Sequence, residues 1–109
     1  MLPAARSQSS GPIYSAFQDE ADFRELLEDF FQSAQERQSL LRESFASGQL
    51  GTVRVHAHQL KGASGGYGFE ALSGLASELE EACKKPQPNL DEIGPLLDDV
   101  VDYLSRIRV

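Results

Sequence analysis

HAHQLKGASGGYGF, residues 56–69, carries the reading on which the fold turns. Its first half is helical. Val53, Leu60, Ala63 and Tyr67 recur at helical spacing in and around it and form one apolar stripe. Its second half is rich in glycine. GGYG weakens a helix, and Gly68 can take the left-handed conformation that ends one. The segment therefore predicts the close of an amphipathic helix running from about Leu50 to Gly66, with another helix following.

Downstream, the next helix is predicted over about Phe69 to Lys84, with Leu72, Leu75, Ala76, Leu79, Ala82 and Cys83 on one face. The prolines of KKPQPN make a loop. A last helix, about Leu90 to Ile107, carries Ile93, Leu96, Leu97, Val100, Leu104 and Ile107. Gly94 and Pro95 should kink its first turns or delay its start. Upstream, Phe23, Leu26, Leu27, Phe30, Phe31, Ala34, Leu41 and Phe45 recur at steps of three and four. Asp19, Glu20 and Asp22 suit the positive end of a helix dipole, and Gly48 suits a helix stop. One long helix, about Asp19 to Ser47, is expected there. Ile13, Tyr14 and Phe17 should fold back onto the end of the assembly. No segment alternates with period two. Four amphipathic helices with short connections make an all-α, antiparallel four-helix bundle.

The chain has 109 residues, the size of one domain. We expect residues 1–12, rich in Ser, Pro and Gly, to be a flexible tail or linker, and residues 13–109 to be the domain. A net charge of −7 repels nucleic-acid phosphates, which argues against nucleic-acid binding. No apolar run is long enough to span a bilayer, and the N-terminus lacks the apolar core of a secretory signal. The single Cys83 cannot form an internal disulfide, which suits a cytoplasmic, reducing setting.

At about 100° per residue, Lys61 lies about −60°, Gly62 about +40°, Gly65 about −20° and Arg54 about −40° from His58. All five share one face, opposite the apolar stripe, so His58 should point to solvent. Each interior Gly costs a helix about 0.5–1 kcal/mol relative to Ala. Gly62 and Gly65, one and two turns beyond His58, clear side chains from around the imidazole. Lys61 and Arg54 bring positive charge to an acidic protein. An exposed nucleophilic nitrogen, nearby cations and steric clearance suit a phosphoryl group delivered by a partner.

AHQLKGASGGYGFEAL, followed by LASELEEA, resembles the histidine-containing phosphotransfer (HPt) domain. The family pattern is a histidine, two residues, then Lys-Gly, here His58, Gln59, Leu60, Lys61 and Gly62; Gly68 and the Leu79-Glu80 pair also match. The likeness extends over roughly Ile13 to Ile107. It implies that His58 accepts a phosphoryl group from an aspartyl phosphate of a response-regulator receiver domain, or of a hybrid histidine kinase, and passes it on. It implies that Lys61 screens the phosphate and that Gly62 admits the receiver. Mg²⁺ and the aspartate belong to the partner, and this chain needs no cofactor or metal of its own. No phosphate-cradling glycine loop or kinase ATP motif is present, so a carrier is implied and not an enzyme. In chemotaxis-type relatives the position of Glu80 orients the histidine through its other nitrogen. Family members often carry a proline that dents the first helix; QSAQER has none, which implies a straighter helix here.

Plainer readings stand beside these. A surface histidine on a structural helix would leave the glycines around His58 unexplained. Arg54 and Lys61 fit a phosphate contact and a solvated face equally well. For Glu80 the sequence leans to a simple charge on the third helix. His56, about 160° from His58, falls toward the core stripe as a packed histidine with a satisfied ring. Two histidines at this spacing cannot share a metal from one helix. Ser64 falls on the core side and takes no phosphate role. An alternative function is an interaction module that docks on a receiver or kinase and never carries phosphate. A histidine-kinase dimerisation domain would show an acidic residue after the histidine and a proline kink, where this chain has Gln59 to Gly62. We expect a monomer, since one chain supplies all four helices.

Overall fold

The computed structural model describes residues 11–109. The tail reading of residues 1–12 thus falls, for residues 1–10, outside the described residues. A 3-10 turn, Ala21–Phe23, leads into four helices: α1 Arg24–Ala46, α2 Leu50–Ser64, α3 Glu70–Lys84 and α4 Leu90–Arg106. They form the antiparallel bundle expected from the apolar periodicity. Leu41, Val53, Leu72, Leu79, Ile93, Leu97 and Leu104 are fully buried along its axis. Burying each such side chain contributes about 1.5–3 kcal/mol. None of the helices among the described residues is long and apolar enough to cross a membrane.

The helix ends follow local chemistry. α1 stops at Gly48, whose φ of 76° lets the Gln49 N–H donate back to the Ser44 carbonyl at 2.8 Å. α2 passes into a 3-10 turn, Gly65–Tyr67, and Gly68 then reverses the chain with φ 86°. α4 begins at Leu90 because the Asn89 side chain accepts from the Asp91 N–H at 2.8 Å. Its start is therefore not delayed by Gly94 and Pro95. Pro95 sits inside the helix on an exposed face, where the Asp91 carbonyl that lacks its N–H partner can meet water. α1 runs unbroken from Arg24 to Ala46.

Several expectations shift in detail. The first helix begins at Arg24 and not at Asp19. Residues 15–20 are held in turns instead, by Gln18 N–H to Ser15 O at 3.1 Å and Glu20 N–H to Phe17 O at 2.9 Å. The last helix ends at Arg106, because Ile107 is extended (φ −65°, ψ 136°) and pairs with Ile13 as an isolated parallel bridge. Ile13 donates to the Arg106 carbonyl at 2.7 Å and accepts from Arg108 N–H at 2.8 Å. Residues 11–20 so become a strap across one end of the bundle. Ile13 packs against the core and the Phe17 ring leans on Phe23, tilted by 38° with centroids 4.7 Å apart, but Tyr14 stays 47% exposed. Alternation in the extended strap turns Ile13 and Ser15 inward and Tyr14 out. Leu26, expected in the apolar stripe, is also exposed, since it lies about 100° off its neighbour Leu27.

The strap is tied to the glycine turn that precedes α3. The Ser15 hydroxyl donates to the Tyr67 carbonyl at 2.6 Å and accepts from the Phe17 N–H at 2.8 Å. Ala16 N–H donates to the Gly68 carbonyl at 3.0 Å. Beneath it, Phe30 stacks on Phe69 at 5.2 Å, and Tyr103 meets Phe69 edge-on at 6.3 Å. The α2–α3 hairpin is thereby fixed at its turn. Small residues on its inner face, Ala57, Ser64 and Ala76, let the two helices approach.

Candidate functional site

α2 presents His58 outward, as its position opposite Val53 and Leu60 requires; the side chain is 68% exposed. Its ring is nevertheless held. Nδ1 lies 2.8 Å from Oε2 of Glu80 on α3, and Oε1 of the same carboxylate accepts from Lys61 Nζ at 3.2 Å. Glu80 itself is 3% exposed. The plain reading of Glu80, a charge on the face of the third helix, is therefore corrected: the packing of α3 on α2 turns this carboxylate inward, toward the histidine. Ser73 on α3 donates to the Lys61 carbonyl at 2.8 Å and fixes the register of the two helices beside the site.

The carboxyl of Glu80 is held below its ordinary value of 4.5. The hydrogen bond from His58 is the largest cause. Burial opposes it, and Lys61 adds to it through its own hydrogen bond and charge. An ionised carboxylate can only accept. The proton in the short bond therefore belongs to His58 Nδ1, and in the neutral ring Nε2 carries the lone pair on the opposite, outward edge.

His56, two residues earlier, is set the other way. Arg37 on α1 places NH1 2.9 Å from His56 Nδ1 and 3.0 Å from the Gln59 side-chain oxygen, while its Nε reaches Ser33 Oγ at 3.3 Å. A guanidinium can only donate, so His56 Nδ1 accepts and the proton of the neutral ring sits on Nε2. Burial, with the Arg37 charge second, pushes the His56 pKa below 6.5. The ring is satisfied, as expected, but half-buried against α1 and not packed into the core stripe.

The remaining residues of the predicted face sort by contact. Lys61 joins the His58–Glu80 pair. Arg54 is exposed and makes no bond to that pair; its charge acts on Cys83, whose thiol burial pushes up. A Cβ on Gly62 or Gly65 would meet nothing within 4 Å, so neither glycine is required by packing. Gly51, Gly66 and Gly74 are equally open. Of these, Gly51 lies two turns before His58 on the same stripe and extends the cleared surface, a residue the sequence reading passed over. Ser64 is fully buried. Among the described residues no group of three or more His, Cys, Asp or Glu side chains could hold a metal ion.

Glu80 had a signal in the sequence. Residues 58 and 80 flank Gly68 at nearly equal separations, and antiparallel helices joined at a tight turn bring such residues side by side. Arg37 had none, because it comes from a helix whose rotation relative to α2 is not written locally. Together the site offers an exposed imidazole nitrogen with a free lone pair, an ammonium group one turn away, and open space around both. The family model described as the Hpt domain matches residues 25–109. No match was found among curated proteins or among solved structures.

Proposed function

The chain belongs to the Hpt domain family, whose members carry phosphoryl groups in two-component phosphorelays and exchange them with receiver domains, and from that premise we propose that His58 is its phosphoacceptor. The observation that carries the proposal is the His58–Glu80 bond, which commits Nδ1 and leaves Nε2 as an exposed nucleophile. Nε2 attacks the phosphorus of an aspartyl phosphate. The P–O bond to the aspartate breaks, and its electron pair leaves with the carboxylate. Lys61, one turn from His58, screens the arriving charge; its Nζ rests on Glu80 and is 41% exposed, within reach of solvent. Gly62 and Gly65 leave room for the partner's surface. Arg54 contributes only a long-range positive field. Mg²⁺ is supplied by the receiver.

The domain spans residues 13–109 and acts as a monomer in the cytoplasm, with the His58 face free. A receiver domain, alone or within a hybrid histidine kinase, is the partner. The test mixes the protein with a phosphorylated receiver and Mg²⁺ and maps the phosphate by tandem mass spectrometry. Phosphate on His58, and none on a His58→Gln chain, is the expected result. Phosphate on another residue, or a His58→Gln chain phosphorylated at the native rate, overturns the assignment. Light scattering that gave a dimer burying the His58 face would overturn the monomer.

A further inference from the structure

We propose that Glu80 keeps the Nδ1 proton on His58 in the phosphorylated state as well as in the free one, so that the phosphoryl group rides on an imidazolium ring paired with a buried carboxylate and stands ready for donation. This rests on His58 being the phosphoacceptor. In the free chain His58 Nδ1 lies 2.8 Å from Glu80 Oε2; with the carboxylate accepting, a neutral ring donates through Nδ1–H and leaves the Nε2 lone pair unshared. When Nε2 bonds to phosphorus, that lone pair is used, the ring still holds Nδ1–H, and the ring becomes a cation. A solvated ring in this state can neutralise itself by shedding the Nδ1 proton.

Here shedding it is opposed twice. The proton is the donor in a short bond to a carboxylate that is 3% exposed, and its loss would set two lone pairs against each other at that distance. The carboxylate also supplies the opposite charge at contact range, which favours the cationic ring. The other charges on this face are Lys61, bonded to the far oxygen of Glu80, and exposed Arg54; neither is bonded to the ring. Both oppose the imidazolium, but less closely than Glu80 supports it.

The consequence lies in the donor step. An acceptor aspartate oxygen attacks phosphorus, the P–Nε2 bond breaks, and the electron pair returns to Nε2. With Nδ1 protonated the departing group is a neutral imidazole. Without that proton it is an imidazolate anion, a far poorer leaving group. Uptake and donation then proceed with no proton entering or leaving the ring.

The test is ¹⁵N NMR of the histidine-labelled, phosphorylated protein from about pH 6 to about pH 9, with donation to a receiver timed over the same range. A phosphorylated peptide of residues 54–62 serves as the solvated reference. In the native chain Nδ1 is expected to stay protonated at least about one pH unit beyond the peptide, with a donation rate that is nearly flat. Glu80→Gln keeps an acceptor oxygen but removes the charge, so its Nδ1 should titrate near the peptide's. Its donation should fall roughly tenfold for each unit above that point. Native protein and peptide titrating together, or both chains donating with the same pH profile, overturns the inference while leaving His58 as acceptor. Absence of phosphate from His58 overturns both readings. Should Glu80→Gln fail to fold, the native protein and the peptide decide alone.

Discussion

Two histidines stand two residues apart on one helix, and their neighbours fix them in opposite tautomers. Glu80 accepts from His58 Nδ1, while Arg37 donates to His56 Nδ1. Only His58 therefore offers an exposed lone pair at Nε2. His58→Gln is expected to abolish phosphate uptake with an unchanged helical circular-dichroism spectrum, since a Gln amide can still donate to Glu80. His56→Gln is expected to leave uptake on His58 within about twofold, because the ring it removes serves Arg37 and not the phosphate. Loss of uptake in both chains would show that the two histidines act as a unit. Acid offers a second check. Because the folded Glu80 carboxyl sits below 4.5, its ionic contribution to stability is present above that value and is lost as pH falls through the lower folded pKa. The difference in thermal midpoint between native protein and Glu80→Gln should shift steadily against the native chain from about pH 5 to about pH 3. A difference that does not vary with pH would mean that the charge on Glu80 contributes nothing to the fold.

At the scale of the element, α2 and the turn that follows it carry glycines of two kinds. Gly62 lies in open helix with no neighbour for a Cβ within 4 Å. Gly62→Ala should be neutral or stabilise by up to about 1 kcal/mol, yet Gly62→Gln should slow phosphotransfer by obstructing the approach to His58. Gly68 is the opposite case. Its φ is 86°, and a Cβ there would stand 2.9 Å from the Ala16 backbone nitrogen as well as against the Ser15 hydroxyl. Gly68→Ala should destabilise by about 1–3 kcal/mol. Urea melts and transfer rates on the same set of variants separate the two roles. A Gly68→Ala chain as stable as the native one would refute the strap's close seat on the turn.

For the molecule as a whole, the strap matters because it joins parts far apart in sequence. Ile13 pairs with Ile107, and Ser15 and Ala16 bond to the α2–α3 turn. Each such bond contributes about 0.5–1.5 kcal/mol net, and the packing of Ile13 adds to them. A chain beginning at Gln18 should melt at least about 5 °C below one beginning at Pro12. Equal midpoints would mean that the strap lies on the bundle without holding it. The strap also sits at the end of the bundle, away from His58, so the phosphate uptake of whatever fraction remains folded should be unchanged.

The number of helices, their approximate limits apart from the start of the first, the stop at Gly68 and the outward direction of His58 were legible in the sequence. Each depends on the period of a single helix or the conformation of a single glycine, and these are local properties of the chain. The likeness around His58, Lys61 and Gly62 added the family. The sequence left Glu80 between two readings, a histidine-orienting group by the family likeness and a plain charge on the third helix, and no residue pattern signalled that Arg37 would reach His56 or that Ser15 would lock the turn. It carried α4 one residue too far, because only pairing with Ile13 draws Ile107 out of the helix. Those features depend on how helices rotate about their axes and slide against one another when the common core closes. A helix's own periodicity says which face is apolar, but not which polar residue at the edge of that face will meet a partner. The tertiary structure decided that for Glu80, and with it which nitrogen of His58 is free.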